Sequence, residues 1–183
     1  MKETSYVMIK PEFANHSSVI SEVEKRLTNA GLEIVEKAKI KYTADDAKKH
    51  YVAHINKPFY PELEEYITSD VAYGMVVVGE NAIAKIRELV GATKNPAEGT
   101  IRYDIPKQLG LELRITQNVV HASDCVEAAT EEIKILKILL IEMKTKKHSN
   151  KECFFYCKNK VLWYNNSKQG VFICQTTKLI NKF

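Results

Sequence analysis

Asn118-Val119-Val120-His121-Ala122-Ser123-Asp124-Cys125 is the stretch on which the reading of this chain turns. Val119 to Ala122 has the composition of a short last strand, and Val126 to Met143 reads as a helix. His121 therefore stands at a strand end, among small polar residues. Imidazole suits phosphoryl transfer because one of its ring nitrogens carries no proton near neutral pH. Glu132 follows eleven residues later, about three helical turns on, where a carboxylate can hold the other ring nitrogen and fix the tautomer. Taken singly, such a histidine is more often a structural hydrogen-bonder, and such a glutamate part of a solvated helix face.

Outward from this stretch the chain alternates strands and helices. Ser5 to Lys10 reads as a buried strand stopped by Pro11. Val19 to Thr28 is helical and ends near Gly31, and Leu32 to Tyr42 alternates apolar and charged residues as a strand does. Thr43 with Asp45 and Asp46 looks like an N-cap opening a helix through Ala53. Pro58 to Ile67 suggests a short helix, Tyr73 to Val78 a strand, Gly79 a turn, and Asn81 to Val90 an amphipathic helix. Few strands with helices between them favour a small α+β or α/β sandwich. From Gly91 to Val119 periodicity is weak and Gly91, Pro96, Gly99, Pro106 and Gly110 recur, which predicts a long functional loop.

The composition bounds the rest. A chain of 183 residues suggests one domain, or one domain with an appendage. No apolar run approaches the roughly 18 residues that span a bilayer, and Met1-Lys2-Glu3-Thr4 opens no signal peptide, so a cytoplasmic protein with no membrane partner is expected. Residues 1–142 hold 18 Lys+Arg and 22 Asp+Glu, a net of −4; residues 143–183 hold nine lysines and one acid, a net of +8. The expected division is thus a domain over 1–142 and a basic extension over 143–183.

Lys10, Arg87 and Arg102 are the candidates for cradling phosphate, since phosphoryl transfer needs fixed positive charge on the equatorial oxygens. Thr93 offers a hydroxyl, Tyr51 and Asn118 neutral donors, and Phe59 a flat apolar face for a nucleobase. Neither a P-loop nor a G-x-G-x-x-G fingerprint is present, so a nucleotide would need another cradle.

Together, Tyr6 to Pro11, His50 to His54, Lys57-Pro58-Phe59, Tyr66 to Ser69, Gly91-Ala92-Thr93, Gly99 to Arg102 and Asn118 to Asp124 resemble the nucleoside diphosphate kinase family over about residues 5–136. The resemblance implies an α+β, ferredoxin-like sandwich: a four-stranded antiparallel sheet covered by helices. It implies ping-pong transfer of the γ-phosphate from ATP or another nucleoside triphosphate to a nucleoside diphosphate, with a phosphohistidine at His121 oriented by Glu132. Lys10 and Asn118 match positions near the sugar hydroxyls and phosphate, Tyr51 and His54 positions near the phosphates, and Arg87, Thr93 and Arg102 the phosphate clamp. Phe59 and Leu63 match the pair that covers the base. Mg²⁺ would arrive with the nucleotide, with no metal ligand assigned to the protein, and a homo-oligomer, tetramer or hexamer, is expected.

The chain departs from the family's pattern in four places. The turn after Lys10-Pro11 is about one residue longer, and the path from Arg102 to His121 is lengthened within residues 103–117. Cys125 stands where serine is common, and residues 143–183 have no counterpart in the compact form. That extension carries lysines interleaved with Phe154, Phe155, Tyr156, Trp163, Tyr164 and Phe172. It reads as an element packed on the core or on a neighbouring subunit, as a nucleic-acid binder, or as a metal site built from His148, Cys153, Cys157 and Cys174.

Overall fold

The computed structural model describes the backbone of residues 1–112, 115–148, 153–157, 160–164 and 171–173, and side chains within 1–112 and 116–142. The chain separates into two compact units, Met1–Leu139 and Leu140–Phe183. The first unit holds a four-stranded sheet of β1 (Lys2–Ile9), β2 (Glu33–Ile40), β3 (Ala72–Glu80) and β4 (Val120–Ala122) in the order β2-β3-β1-β4. All three neighbouring pairs are antiparallel. This is the ferredoxin-like arrangement of two interleaved βαβ units. In the second unit β5 (Cys153–Cys157), β6 (Lys160–Tyr164) and β7 (Val171–Ile173) form an antiparallel sheet. The metal and nucleic-acid readings of the extension rest on side chains outside the described residues.

β1 is buried along its second half, and its two faces go to different layers. Val7 and Ile9 join Met75 and Val77 in a core completed by Val23 and Leu27 of α2 (Ser17–Asn29) and Ile86 and Val90 of α5 (Ala82–Val90). On the alternate face the Tyr6 ring meets His50 of α3 (Ala44–His50), with ring centroids 5.7 Å apart. Leu136 of α7 (Val126–His148) lies against Gly74, where a Cβ would come within 3.0 Å of it and within 2.7 Å of the Tyr6 hydroxyl. Each fully buried aliphatic side chain contributes roughly 1.5–3 kcal/mol. The sheet is thereby fixed on both faces, and β1 and β4, which flank the site, are held at its centre and edge.

The N-cap expected at Thr43 is present as a reciprocal pair: Asp46 N donates to Thr43 Oγ1 at 3.2 Å and Thr43 N to Asp46 Oδ2 at 3.0 Å. Four sequence expectations need correction. Pro11 does more than stop β1; it opens α1 (Pro11–Ala14), because its fixed φ suits a first helical position. The helix after Thr43 ends at His50 rather than Ala53, and a 3-10 turn, Val52–His54, follows. Gly79 lies inside β3 and makes no turn: Leu32 Cδ2 occupies the space a Cβ would take, 2.5 Å away. The supposed loop from Gly91 to Val119 contains α6 (Ile101–Leu109). Pro106 inside it removes one helical hydrogen bond, but Ile101 and Ile105, one turn apart, are both buried in the core. α4 (Tyr60–Ser69) packs against α3 and against the 3-10 turn Ile115–Gln117.

Candidate active site

The segment entering β4 is bent by main-chain geometry. Val120 N donates to Asn118 O at 2.8 Å, closing a γ-turn centred on Val119, whose φ is +66°. A β-branched residue there is strained, by about 1–3 kcal/mol. The strain is held by neighbours: Lys10 N donates to Val119 O at 2.9 Å, and the Val119 side chain is fully buried. Arg102 adds three more ties to backbone, donating from Nε to Asn118 O (3.2 Å), from Nη2 to Val120 O (2.9 Å) and from Nη1 to Gly91 O (2.8 Å). Nη1 also reaches Thr93 Oγ1 at 3.2 Å. Gly91 itself has φ +83°, and a Cβ there would strike Thr100 at 2.6 Å.

The turn delivers His121 to the middle of β4, where its Nε2 donates to Glu132 Oε1 at 2.8 Å. Ser123 Oγ donates to the other Glu132 oxygen at 2.6 Å, and Tyr6 N donates to Ser123 Oγ at 2.9 Å. The carboxylate is thus fixed to the central strand through one serine. With its proton on Nε2, the ring carries a lone pair on Nδ1. Burial, and then the charges of Lys10 and Arg102, push the His121 pKa down to about 3, so the imidazole is neutral at physiological pH. Burial raises the pKa of Glu132, against the lowering effect of His50 and of the Ser123 hydrogen bond. The His50 ring packs edge-on to His121, with centroids 4.6 Å apart, and is itself held neutral, mainly by burial.

His121 opens into a cavity of about 1000 Å³. It is lined by the polar residues Lys10, Arg87, Thr93, Arg102 and Asn118 and by Tyr51, His54, Phe59 and Leu63. Every binding residue expected from the sequence therefore meets in one place, with Glu132 behind His121. Burial, and then Arg102, lower the Lys10 pKa to about 7, while its Nζ donates to Thr116 O at 2.7 Å. Arg102 is lowered to about 10 by burial and by Arg87, and stays charged. Arg87 pairs with Asp124. Two buried polar atoms of the lining residues, Tyr51 OH and Asn118 Oδ1, have no hydrogen-bond partner among the described residues. Buried polar groups are nearly always satisfied, so atoms like these await a ligand.

The model of the family "Nucleoside diphosphate kinase" matches residues 3–137. The chain belongs to the nucleoside diphosphate kinase family. It is 43% identical over 136 residues to the nucleoside diphosphate kinase of Archaeoglobus fulgidus, covering 73% of this chain and 85% of that one. The Staphylococcus epidermidis nucleoside diphosphate kinase is 40% identical over 136 residues, covering 73% and 86%. Among solved structures, the Halobacterium salinarum nucleoside diphosphate kinase in complex with CDP superposes with a TM-score of 0.66 at 32% identity, over 74% of this chain and 87% of that one. The Encephalitozoon cuniculi nucleoside diphosphate kinase, in its apo form, gives 0.64 at 31% identity, over 73% and 87%.

Against this nucleoside diphosphate kinase frame, four site features escaped the sequence reading. They are Ser123 as the anchor of Glu132, Asp124 as the partner of Arg87, and Glu62 and Thr116, which line the cavity and bond to each other at 3.0 Å. Asp124 and Ser123 lie within the motif and could have been weighed; Glu62 and Thr116 are 54 positions apart, and no local pattern joins them. His50, His121 and Glu132 present donor atoms within 4.8 Å of one another. That set of two nitrogens and one oxygen is no seat for Mg²⁺, which prefers oxygen ligands. Among the described residues no helix is long and apolar enough to cross a membrane.

Proposed function

We propose that this chain is a nucleoside diphosphate kinase that works by ping-pong transfer through His121. The observation that carries the reading is the Nε2 bond to Glu132, which leaves Nδ1 as the nucleophilic atom of a neutral imidazole on the cavity wall. In the first half-reaction the Nδ1 lone pair attacks the γ-phosphorus of a nucleoside triphosphate. The bond from that phosphorus to the bridging oxygen breaks, and the nucleoside diphosphate leaves with the electron pair. A second diphosphate then takes the phosphoryl group by the reverse route. Glu132 stabilises the positive charge that develops on the ring. Arg87 and Lys10 supply charge to the moving phosphoryl oxygens. Arg102 has spent four N–H contacts on the chain, so it offers one remaining N–H of its five and its charge. Thr93, Tyr51, Asn118 and His54 complete the polar contacts, and Phe59 and Leu63 cover the base, a stacking mode tolerant of base identity.

Mg²⁺ fits as a companion of the nucleotide. The carboxylates on the cavity wall are Glu62 and Asp124, and Asp124 is engaged by Arg87. Phosphate oxygens would therefore supply most of its ligands, and the ion would neutralise charge on the phosphates. We further propose a homo-oligomer, tetrameric or hexameric, in the cytoplasm, with residues 1–142 as the kinase domain and 143–183 as an appended extension.

Incubation with γ-labelled ATP tests the reading: acid-labile label on the protein is expected, and its absence would sink the proposal. Glu132→Gln should keep the fold but lower kcat on the order of 10²-fold with KM little changed, because the amide can hold the ring in the wrong tautomer. Lys10 predicts a pH dependence. It is charged below about pH 7 in the empty site and loses its proton above that, so kcat/KM should fall as pH rises past about 7. At saturation the bound phosphates keep Lys10 protonated, so kcat should stay flat over the same range. Lys10→Gln should be slower throughout and lack this fall in kcat/KM.

A further inference from the structure

The donor set that ill suits Mg²⁺ suits a softer dication. Ring nitrogens of His50 and His121 and a carboxylate oxygen of Glu132 lie within 4.8 Å of one another. Two imidazoles and one glutamate are the protein ligands of one class of zinc site, whose fourth position stays exchangeable.

His50 is the member that phosphoryl transfer leaves unused. It is buried at the end of α3, and its Nε2 has no hydrogen-bond partner among the described residues. A buried ring nitrogen costs free energy unless it is paired, so an unpaired one marks a place for a ligand. Outer partners also pin two of the three side chains, as they do around bound metals. His50 Nδ1 lies 3.2 Å from the Tyr42 hydroxyl, and as the donor there it leaves the lone pair on Nε2. Ser123 Oγ donates to the second Glu132 oxygen at 2.6 Å.

We propose that His50, His121 and Glu132 bind a zinc-type transition-metal dication, which inhibits transfer by taking the place of the proton between His121 Nε2 and Glu132. Binding releases that proton to solvent. Bonds of about 2.0–2.2 Å set tetrahedral ligands roughly 3.4 Å apart, so the widest pair closes by at most about 1.4 Å and the 2.8 Å His121–Glu132 pair opens. The His121 side chain is 20% exposed, and the cavity it lines gives the ion an entry. Lys10, Arg102 and Arg87 oppose a dication, and the Glu132 carboxylate offsets them. A metal on Nε2 draws ring electrons away from Nδ1, so attack on phosphorus slows. The inhibition rests on His121 as the nucleophile; the binding does not.

Nucleotide-free, full-length protein is titrated with Co²⁺, whose visible d–d bands report nitrogen and oxygen ligation. His50→Phe keeps a flat ring and removes one ligand, so it should bind Co²⁺ at this site about tenfold more weakly or worse. The difference between the two spectra is the readout; ligation by cysteines of the extension would add an intense sulfur-to-metal band and is read apart. Zn²⁺ should displace the Co²⁺ and slow phosphorylation of His121 by phosphoramidate, a donor without a nucleotide, by roughly tenfold or more. EDTA should reverse the inhibition, and His50→Phe should escape it. Phosphorylation of His50→Phe also shows that the variant is folded; if it is not, Glu132→Gln replaces it in the Co²⁺ titration with the same expected loss. Absence of the bands, or bands that persist unchanged in the variant, would overturn the proposal, as would Zn²⁺ inhibition that His50→Phe retains. A metal site that behaves as expected in a protein that neither donor phosphorylates would instead remove the kinase reading.

Discussion

His121→Ala is expected to form no acid-labile phosphoenzyme and to lose transfer by on the order of 10⁴-fold or more. The substitution deletes the ring that Glu132 orients at the cavity wall. Glu132 would keep its bond from Ser123, 2.6 Å away, and the cavity would keep its cations. Nucleotide binding should therefore survive within a few-fold, and a fluorescent nucleotide titration would check it. A variant that binds but does not transfer separates the nucleophile from the cradle. Residual label in His121→Ala would mean that another side chain carries the phosphate.

Arg102→Ala should have the second largest effect, and it should be felt twice. Transfer should fall about 10³-fold, because a charge near the phosphoryl group is lost. Thermal stability should fall as well, because three backbone carbonyls lose a charged donor. Asn118 O keeps its bond from Val120 N; at about 1–3 kcal/mol for each of the other two carbonyls, partly offset by water, a loss of about 3 kcal/mol is expected. For a domain of this size that corresponds to a drop in Tm of about 10 °C. Arg102→Lys restores charge without the planar fork, so it should recover only a minor part of either loss. Calorimetry and steady-state transfer on the same samples would check both. A variant with lost activity and an unchanged Tm would show that the carbonyl contacts carry no weight.

Much of the site was legible because its residues lie in short, spaced motifs. The strand carrying His121 and the helix carrying Glu132 are adjacent in sequence, so eleven positions were enough to suggest their meeting. The N-cap at Thr43 was legible for the same reason: both partners lie within four residues. What escaped depends on contacts across the fold. α6 was hidden by Pro106 and by flanking glycines, and it is fixed as a helix by burying Ile101 and Ile105 in a core shared with residues far away in sequence. Gly79 carries the local signature of a turn, and only the approach of Leu32 shows why a strand needs a glycine there. The strained Val119 has no sequence signal at all; local preference argues against a left-handed valine, and tertiary bonds override it.

The γ-turn at Val119 also bears on how the chain has room to vary in length. Lys10 and Arg102 grip the residues on both sides of the bend, so the position of His121 is set locally, from Asn118 onward. Everything between the end of α6 at Leu109 and the turn at Ile115–Gln117 is upstream of that grip. Changes of length at Gly110 to Glu112 are therefore expected to leave the nucleophile in place. For protein engineering this marks a splice point: a foreign loop grafted at the exposed residues Gly110 to Glu112 should leave the reactive ring where it is.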